Sequence, residues 1–418
     1  MLLKRLRTSL FFRKASWSLL IIAIYMLGAH ILIPMAPVES IADSNKDLSK
    51  IIDSLSMVTG GRSTMTLFSL GLAPYMNAMI IWRLANVLKW DQLMTKTQRN
   101  AIMGGLTLVL GFIQAFGMTL MMPFRSDVFF GHTVSAATLQ LLTVIFMVTG
   151  SSVLTWLASI NTDKGIGGMI IIILVNMLNT LFSNFNSYVS ANRLKFSTDD
   201  WIQQGILFVI GVSLLIWLAV VTYRGEYRQP IYRTGINSPD ASLSYLPIRV
   251  TPAGAMPYMY GMTLMILPPI IFTIINQYMP GNHIIQYLLN NSSSKTLAGA
   301  IMYAIILYAL AIGFAYFNYD AYEIAKEMRD SGDYIEHVRV GRPTQKYLHR
   351  KIAIFARFGA IFTVLLGAGP NFFMLGIKNG EVNFATIISS VYIVSTFMFT
   401  IIEQVDALLG WRKYKNVI

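Results

Sequence analysis

Long apolar runs, separated by short polar stretches, dominate the chain. Windows of about twenty apolar residues, the length a helix needs to cross a bilayer, fall at 17–35, 65–88, 101–122, 138–160, 166–187, 203–223, 255–275, 297–317, 352–370 and 384–402, which makes ten predicted spans and puts both termini on one side. The second run is irregular: "FSLGLAPYMNAMIIW" (68–82) carries Gly71, Pro74 and Asn77, which a helix surrounded by lipid has no reason to keep. Backbone that Gly and Pro free from helix is tolerated at membrane depth only against protein or a wet cavity. Another segment is too short to span. In "DSNKDLSKIIDSLSMVTGG" Leu48, Ile51, Ile52 and Leu55 share a helical face opposite Asp47, Lys50 and Asp53, and the run stops at Gly60-Gly61. It predicts an amphipathic half-helix on a hinge, either flat at the interface or folded back into a cavity.

Charge sets the orientation. Most of the 33 Lys and Arg fall on the side that holds the N-terminus, including Lys4, Arg5, Arg7, Arg13 and Lys14, the cluster between Lys326 and Arg357, and Arg412 and Lys413. The positive-inside bias therefore makes both termini cytoplasmic. "MLLKRLRTSLFFRKASW" reads as a retained amphipathic cytoplasmic helix, because a full-length span follows it with no small-residue cleavage site. Five spans in each half, 1–188 and 189–418, give the halves opposite orientation, as in an inverted repeat. Two cytoplasmic loops exceed what topology needs. The stretch 223–254 alternates basic, aromatic and turn residues, which predicts a hairpin, and 317–350 opens with a short charged helix; together they are a candidate docking surface.

Composition narrows the class. With 55% hydrophobic and 13% charged residues, the chain is a polytopic membrane protein and not a soluble one. Its net charge of +13 follows from topology and calls for no nucleic acid. There is no cysteine, and His30, His132, His283, His337 and His349 lack metal-ligand spacing. Phosphate-loop, zinc-protease and serine-elbow motifs are absent, and the serines of "VTGSSVLTW" (148–156) have no histidine at matching depth. An intramembrane hydrolase is disfavoured on that ground. Arg83, Arg357, Glu403 and Asp406 sit near span ends, leaving uncharged Asn77, Gln114, Asn176 and Thr263 at the midplane. A secondary transporter for a small solute, the main alternative, lacks the expected coupling acid. The chain has no evident cofactor or means of spending a nucleotide, so any work across the membrane is driven by a partner.

Six stretches carry a family resemblance: "TLFSLGLAPYMNAMIIWRL" (66–84), "LGFIQAFGM" (110–118), "TDKGIGGMIIII" (162–173), "LSYLPIRVTPAGAMPYMYGMTLMILP" (243–268), "FNYDAYEIAKEMRDSGDYIEHVRVGRPTQKYL" (317–348) and "IIEQVDALLGWRKYKNVI" at the end. In this order they resemble SecY, the central subunit of the bacterial protein-conducting channel. The resemblance implies an all-α membrane protein of ten transmembrane helices in two pseudo-symmetric five-helix halves, in the plasma membrane, with 40–61 as a plug and 65–88 lining pore and lateral gate. It implies an apolar pore ring of Leu72, Met76, Leu174, Leu178, Met259 and Ile393, a polar gate cluster of Asn77, Gln114 and Thr263, and basic docking positions at Arg224, Arg228 and Arg339. The implied partners are a SecA-type motor ATPase, small SecE- and SecG-like subunits or accessory Sec proteins, and secretory preproteins. "GIGGM" replaces Gly-Ile-Gly-Asn-Gly, "VRVG" replaces an Arg-Pro-Gly, and the tail is short. These departures are similar to the accessory SecY of some Gram-positive bacteria, which exports serine-rich glycosylated adhesins.

Overall fold

Helix formation follows the apolar runs closely. A computed structural model describes residues 10–33, 66–87, 94–120, 124, 127–129, 132–192, 198–233, 244–265, 267–278, 282–291, 296–375 and 382–414. The plug positions Leu48, Ile51, Ile52 and Leu55 lie outside the described residues. Among the described residues six helices are long and apolar enough to cross a membrane, and two shorter apolar ones, Ile170–Ser183 and Phe208–Arg224, accompany them.

Contacts cluster in two compact units. The first comprises Met1–Asn186, Met262–Ala300 and Thr400–Ile418; the second comprises Ser187–Gly261 and Ile301–Phe399. In the first unit, α1 (Leu10–Gly28) packs on α4 (Ala136–Lys164), α2 (Ala73–Val87) on α3 (Lys96–Leu120), and α3 on α4 and on α8 (Leu267–Tyr278). Their shared core joins Leu70, Ala73, Ala115, Met118, Val144, Met147 and Ile270. Gly117 lets α3 approach α8, since a Cβ there would lie 2.3 Å from Ile270 Cγ2. The hydroxyls of α4 are absorbed by its own backbone: Thr143, Thr149, Ser152, Thr155, Ser159 and Thr162 each donate to the carbonyl four residues earlier. That pattern satisfies a polar side chain without a partner helix. Of the 148–156 serines, Ser151 differs in donating to the Gly71 carbonyl at 2.9 Å.

The second predicted span is a helix only from Ala73 onward. Residues 66–72 are a chain of turns, and Pro74 sits in the first turn of α2, where its missing N–H costs nothing. Leu67 N–H donates to Ile31 O at 2.9 Å, Phe68 stacks on Tyr25 and fills the space above Gly28, and Gly71 adopts φ 58. The Leu67 carbonyl lies over Gly150, where a Cβ would stand 1.8 Å from its oxygen. Non-helical backbone is thus held against protein. The span 255–275 is likewise interrupted, into α7 (Met256–Leu264) and α8, with Met265 in a turn and Pro268-Pro269 in the first turn of α8.

In the second unit, α5 (Ile170–Asn192) contributes its C-terminal end. The unit also holds α6 (Thr198–Arg224), α10 (Leu297–Asn318, past Ala300), α11 (Ala321–Ser331), α12 (Arg342–Gly367), α13 (Gly369–Leu375) and most of α14 (Val382–Tyr414). The predicted hairpin is present: β3 (Glu226–Pro230) pairs antiparallel with β5 (Tyr245–Arg249), Glu226 opposite Arg249 and Pro230 opposite Tyr245. The short charged helix is α11, capped by Asp320, which accepts from Tyr322 N–H, and closed by Gly332 in the left-handed conformation. Helices α12 and α14 overrun their predicted spans furthest, since α12 begins ten residues before 352 and α14 continues to Tyr414.

Candidate functional site

The six ring positions fall in both units. In the first, Leu72 ends the turn segment and Met76 lies in the opening turn of α2, both fully buried, while Leu174 and Leu178 share one face of α5. Along that face burial changes abruptly: Leu174 is 6% exposed and Leu178 is 44% exposed. In the second, Met259 on α7 and Ile393 on α14 are buried. All six side chains are apolar and non-aromatic, so none offers a charge to an ion.

Each ring residue of the second unit adjoins a buried tyrosine. Tyr258 and Tyr392 meet edge to face, with centroids 5.7 Å apart and planes at 69°. Phe362 packs on Tyr392 at 6.4 Å, and the Tyr392 hydroxyl lies 3.3 Å from Thr222 Oγ1. Leu307 of α10 is bracketed by Gly261 and Gly367, and at Gly367 a Cβ would stand 2.9 Å from the Tyr258 ring. Rings pinned in this way fix the rotation of α7 and α14 and hence where Met259 and Ile393 point. Sequence reasoning passed over these tyrosines, because tyrosine inside an apolar run looks like ordinary core.

Asn77, Gln114 and Thr263, the positions of the expected gate cluster, are all buried. Both amide atoms of Asn77 and the Nε2 of Gln114 have no hydrogen-bond partner among the described residues. The Thr263 hydroxyl reaches the Met76 sulfur at 3.9 Å, which brings a gate residue against a ring residue. A buried amide without partners costs about 1–3 kcal/mol. Asn77→Leu is therefore expected to raise the unfolding midpoint in detergent; a lowered midpoint would mean that the amide has found partners.

A hydrogen-bonded knot holds the "GIGGM" loop. Asn161 Nδ2 donates to the carbonyls of Ile166 (3.0 Å) and Gly168 (2.6 Å), and its Oδ1 accepts from Ser18 Oγ at 2.9 Å. Ser18 Oγ accepts from Ile166 N–H at 2.7 Å, and Gly167 N–H donates to Gln404 Oε1 at 2.9 Å. Helices α1, α4 and α14 thereby converge on the turn that launches α5. Gly167 (φ 75) and Gly168 (φ 51) occupy the left-handed region, which asparagine also tolerates. That accounts for glycine standing at 168 where Gly-Ile-Gly-Asn-Gly has asparagine.

The described parts of the two long loops, 223–254 and 317–350, form one structure. Strand β4 (Tyr232–Arg233) pairs with β6 (Asp333–Tyr334), Tyr232 stacks on Tyr334 at 5.7 Å, and Tyr347 donates to Gln229 Oε1 at 3.2 Å. Below them Ile231, Ala321, Ala325, Met328, Ile335, Leu348 and Ile352 form a single core. Tyr227 packs on Phe355 at 5.5 Å, and the Lys351 ammonium lies 5.1 Å over its ring. Tyr232 donates to Glu336 at 3.2 Å, which raises its hydroxyl above the ordinary phenol range. The three basic positions expected to dock a partner, Arg224, Arg228 and Arg339, are all exposed. Arg228 bonds Glu226 at 2.8 Å and sits 4.8 Å over Tyr245, while Arg224 closes α6 and Arg339 precedes Gly341, whose φ of 103 reserves that turn for glycine.

The SecY family model matches residues 66–401. Among relatives, the chain is 43% identical over 99% of its length and 98% of theirs to the "Accessory Sec system protein translocase subunit SecY2" of Streptococcus parasanguinis. It is 30% identical to the protein of the same description from Streptococcus gordonii, over 98% of each. A solved structure described as "The structure of a protein conducting channel" superposes with a TM-score of 0.66 at 17% identity, covering 97% of this chain and 93% of that one, and a Sec61 channel from a canine ribosome complex superposes with a TM-score of 0.62, also at 17% identity. These likenesses leave the small-solute transporter without support. Matched over most of its length by the family model and end to end by its relatives, the chain belongs to the SecY family.

Proposed function

We propose that this chain is the central pore-forming subunit of an accessory Sec translocation channel, passing unfolded secretory polypeptides, serine-rich glycosylated adhesins foremost, across the plasma membrane. The observation that carries this reading is the set of apolar side chains at Leu72, Met76, Leu174, Leu178, Met259 and Ile393, with no Asp, Glu or Lys near them in sequence to serve as a coupling site. An apolar constriction excludes ions by dewetting, and methionine, unbranched and polarisable, adapts to whatever side chain passes. The linear halves 1–188 and 189–418 act as two five-span jaws, both termini are cytoplasmic, and 40–61 is the plug. Asn77, Gln114 and Thr263 mark the lateral gate. The unmet amides of Asn77 and Gln114 favour this assignment, because a preprotein signal or an opened gate offers them the partners they lack when closed.

Motion is supplied from outside. A SecA-type motor docks on the fused loop module at Arg224, Arg228 and Arg339, and small SecE- or SecG-like subunits or accessory Sec proteins complete the channel. Because the chain contains no cysteine, one experiment tests ring and motor together. A cysteine at Met259 and another in a stalled preprotein are expected to form a disulfide, a cysteine at lipid-facing Met398 none, and either omission of the motor or Arg339→Glu abolishes the bond. Equal bonding at both positions, or none at Met259 with the preprotein engaged, overturns the ring. A bond that survives Arg339→Glu overturns the docking assignment alone.

A further inference from the structure

Helix α12 presents two functional faces besides its core. Leu348, Ile352, Ala356, Gly359, Ala360 and Thr363 are buried along one side. On the other, Ile354, Phe358, Ile361 and Leu365 are each more than half exposed, the pattern of a face turned to lipid. Arg342, Lys346, Arg350 and Arg357 are also exposed, and at 100° per residue they fall within one 80° sector that adjoins the apolar one. The basic stripe therefore runs along the lipid side of the helix, not along the module side, where Lys351 is engaged with Tyr227 and Tyr347.

Two details give the stripe a ligand. Helix α12 contains no acidic residue, and Lys346, Arg350 and Arg357 have no carboxylate partner among the described residues. Arg357 Nε donates to the Ala353 carbonyl at 3.1 Å, so its guanidinium turns back from the apolar stretch toward the basic end, as a side chain does when it snorkels to the membrane surface. Arg350 and Arg357 are two turns apart, roughly 10 Å along the axis, which places both at the depth of the headgroups when Phe358 and Ile361 lie among the acyl chains. We infer that Lys346, Arg350 and Arg357 form a binding site for the phosphate of an anionic phospholipid on the outside of α12, in the inner leaflet if the termini are cytoplasmic. The inference rests on α12 being a membrane span and on nothing about the pore.

Native mass spectrometry of the full-length protein in detergent, offered phosphatidylglycerol and phosphatidylcholine in equal amounts, tests it. Each cation near an anionic surface is worth about 1 kcal/mol, roughly fivefold. Wild-type protein is expected to retain phosphatidylglycerol in clear excess, Arg350→Gln/Arg357→Gln to lose most of that excess with phosphatidylcholine unchanged, and Arg350→Lys/Arg357→Lys to keep it. An excess that survives the glutamine pair overturns the site. Equal competition by soluble glycerol 3-phosphate identifies a phosphate site with no need of lipid and overturns it too. Loss of motor binding with lipid retention intact assigns the stripe to a protein partner instead. Failure here leaves the Met259 disulfide untouched, and failure of that disulfide leaves this site untouched.

Discussion

Gly150→Ala is expected to destabilise the first unit by upwards of about 3 kcal/mol, enough to cut the yield of folded protein in detergent. The added Cβ would stand 1.8 Å from the Leu67 carbonyl oxygen and 2.7 Å from its carbon. Neither atom is the end of a flexible side chain. Leu67 cannot retreat, because its N–H is bonded to Ile31 O and the following residue is wedged between Gly28 and Tyr25. Relief has to come from moving residues 66–72 as a body, which breaks the Ser151 to Gly71 hydrogen bond and shifts Leu72. Gly104→Ala and Gly105→Ala on α3 serve as controls: nothing lies within 4 Å of a Cβ at either, and alanine in an exposed helical position gains up to about 1 kcal/mol. Equal unfolding midpoints for Gly150→Ala and Gly104→Ala would show that the turn segment is not held as described.

A comparable loss is expected for Asn161→Ala, about 3 kcal/mol, for a different reason. This substitution removes no volume that matters; it removes the donors to the carbonyls of Ile166 and Gly168 and the acceptor for Ser18, leaving the Ser18 hydroxyl to donate only through its 3.2 Å bond to Ile166 O, in a site where Ser18 and Asn161 are 3% and 0% exposed. Each buried group left unmet costs about 1–3 kcal/mol. Asn161→Asp separates the contributions, since it keeps the acceptor for Ser18 and removes both donors to the loop. Amide exchange at Gly167 and Gly168 is the sensitive readout, because both sit in the knot itself. Faster exchange there, with the helices protected, is the expected result for either variant. Unchanged exchange would mean that Ser18 and Gln404 suffice to hold the loop.

These two sites show where the sequence is legible and where it is not. Ten apolar windows predict helices because burial in lipid and closure of every backbone bond leave a single local solution, and every window does overlie a helix. The breaks were readable in kind: Gly71 and Pro74 marked an interruption, though Pro74 starts α2 and does not bend it. The hairpin and α11 carried their own turn and capping residues. Contacts across great sequence distance were not readable. Ser18 meets Asn161 across 143 positions and Gly167 meets Gln404 across 237, and nothing local to "SWS", "INTD" or "IEQV" announces the meeting. The resemblance implies a polar gate cluster of Asn77, Gln114 and Thr263; polarity at helical depth is visible in a sequence, but the direction in which an amide points is not.

The fused loop module bears on how such channels diverge. A hairpin and a helix–turn connection that look like separate appendages share the core of Ile231, Ala325, Met328, Ile335 and Leu348 and the stacked pair Tyr232–Tyr334. Inheritance therefore acts on them together: a change in one loop's packing face is a defect until the other answers it, whereas a change at exposed Val340 disturbs no packing. A chimera that exchanges one loop between relatives divides a single hydrophobic core between two ancestries.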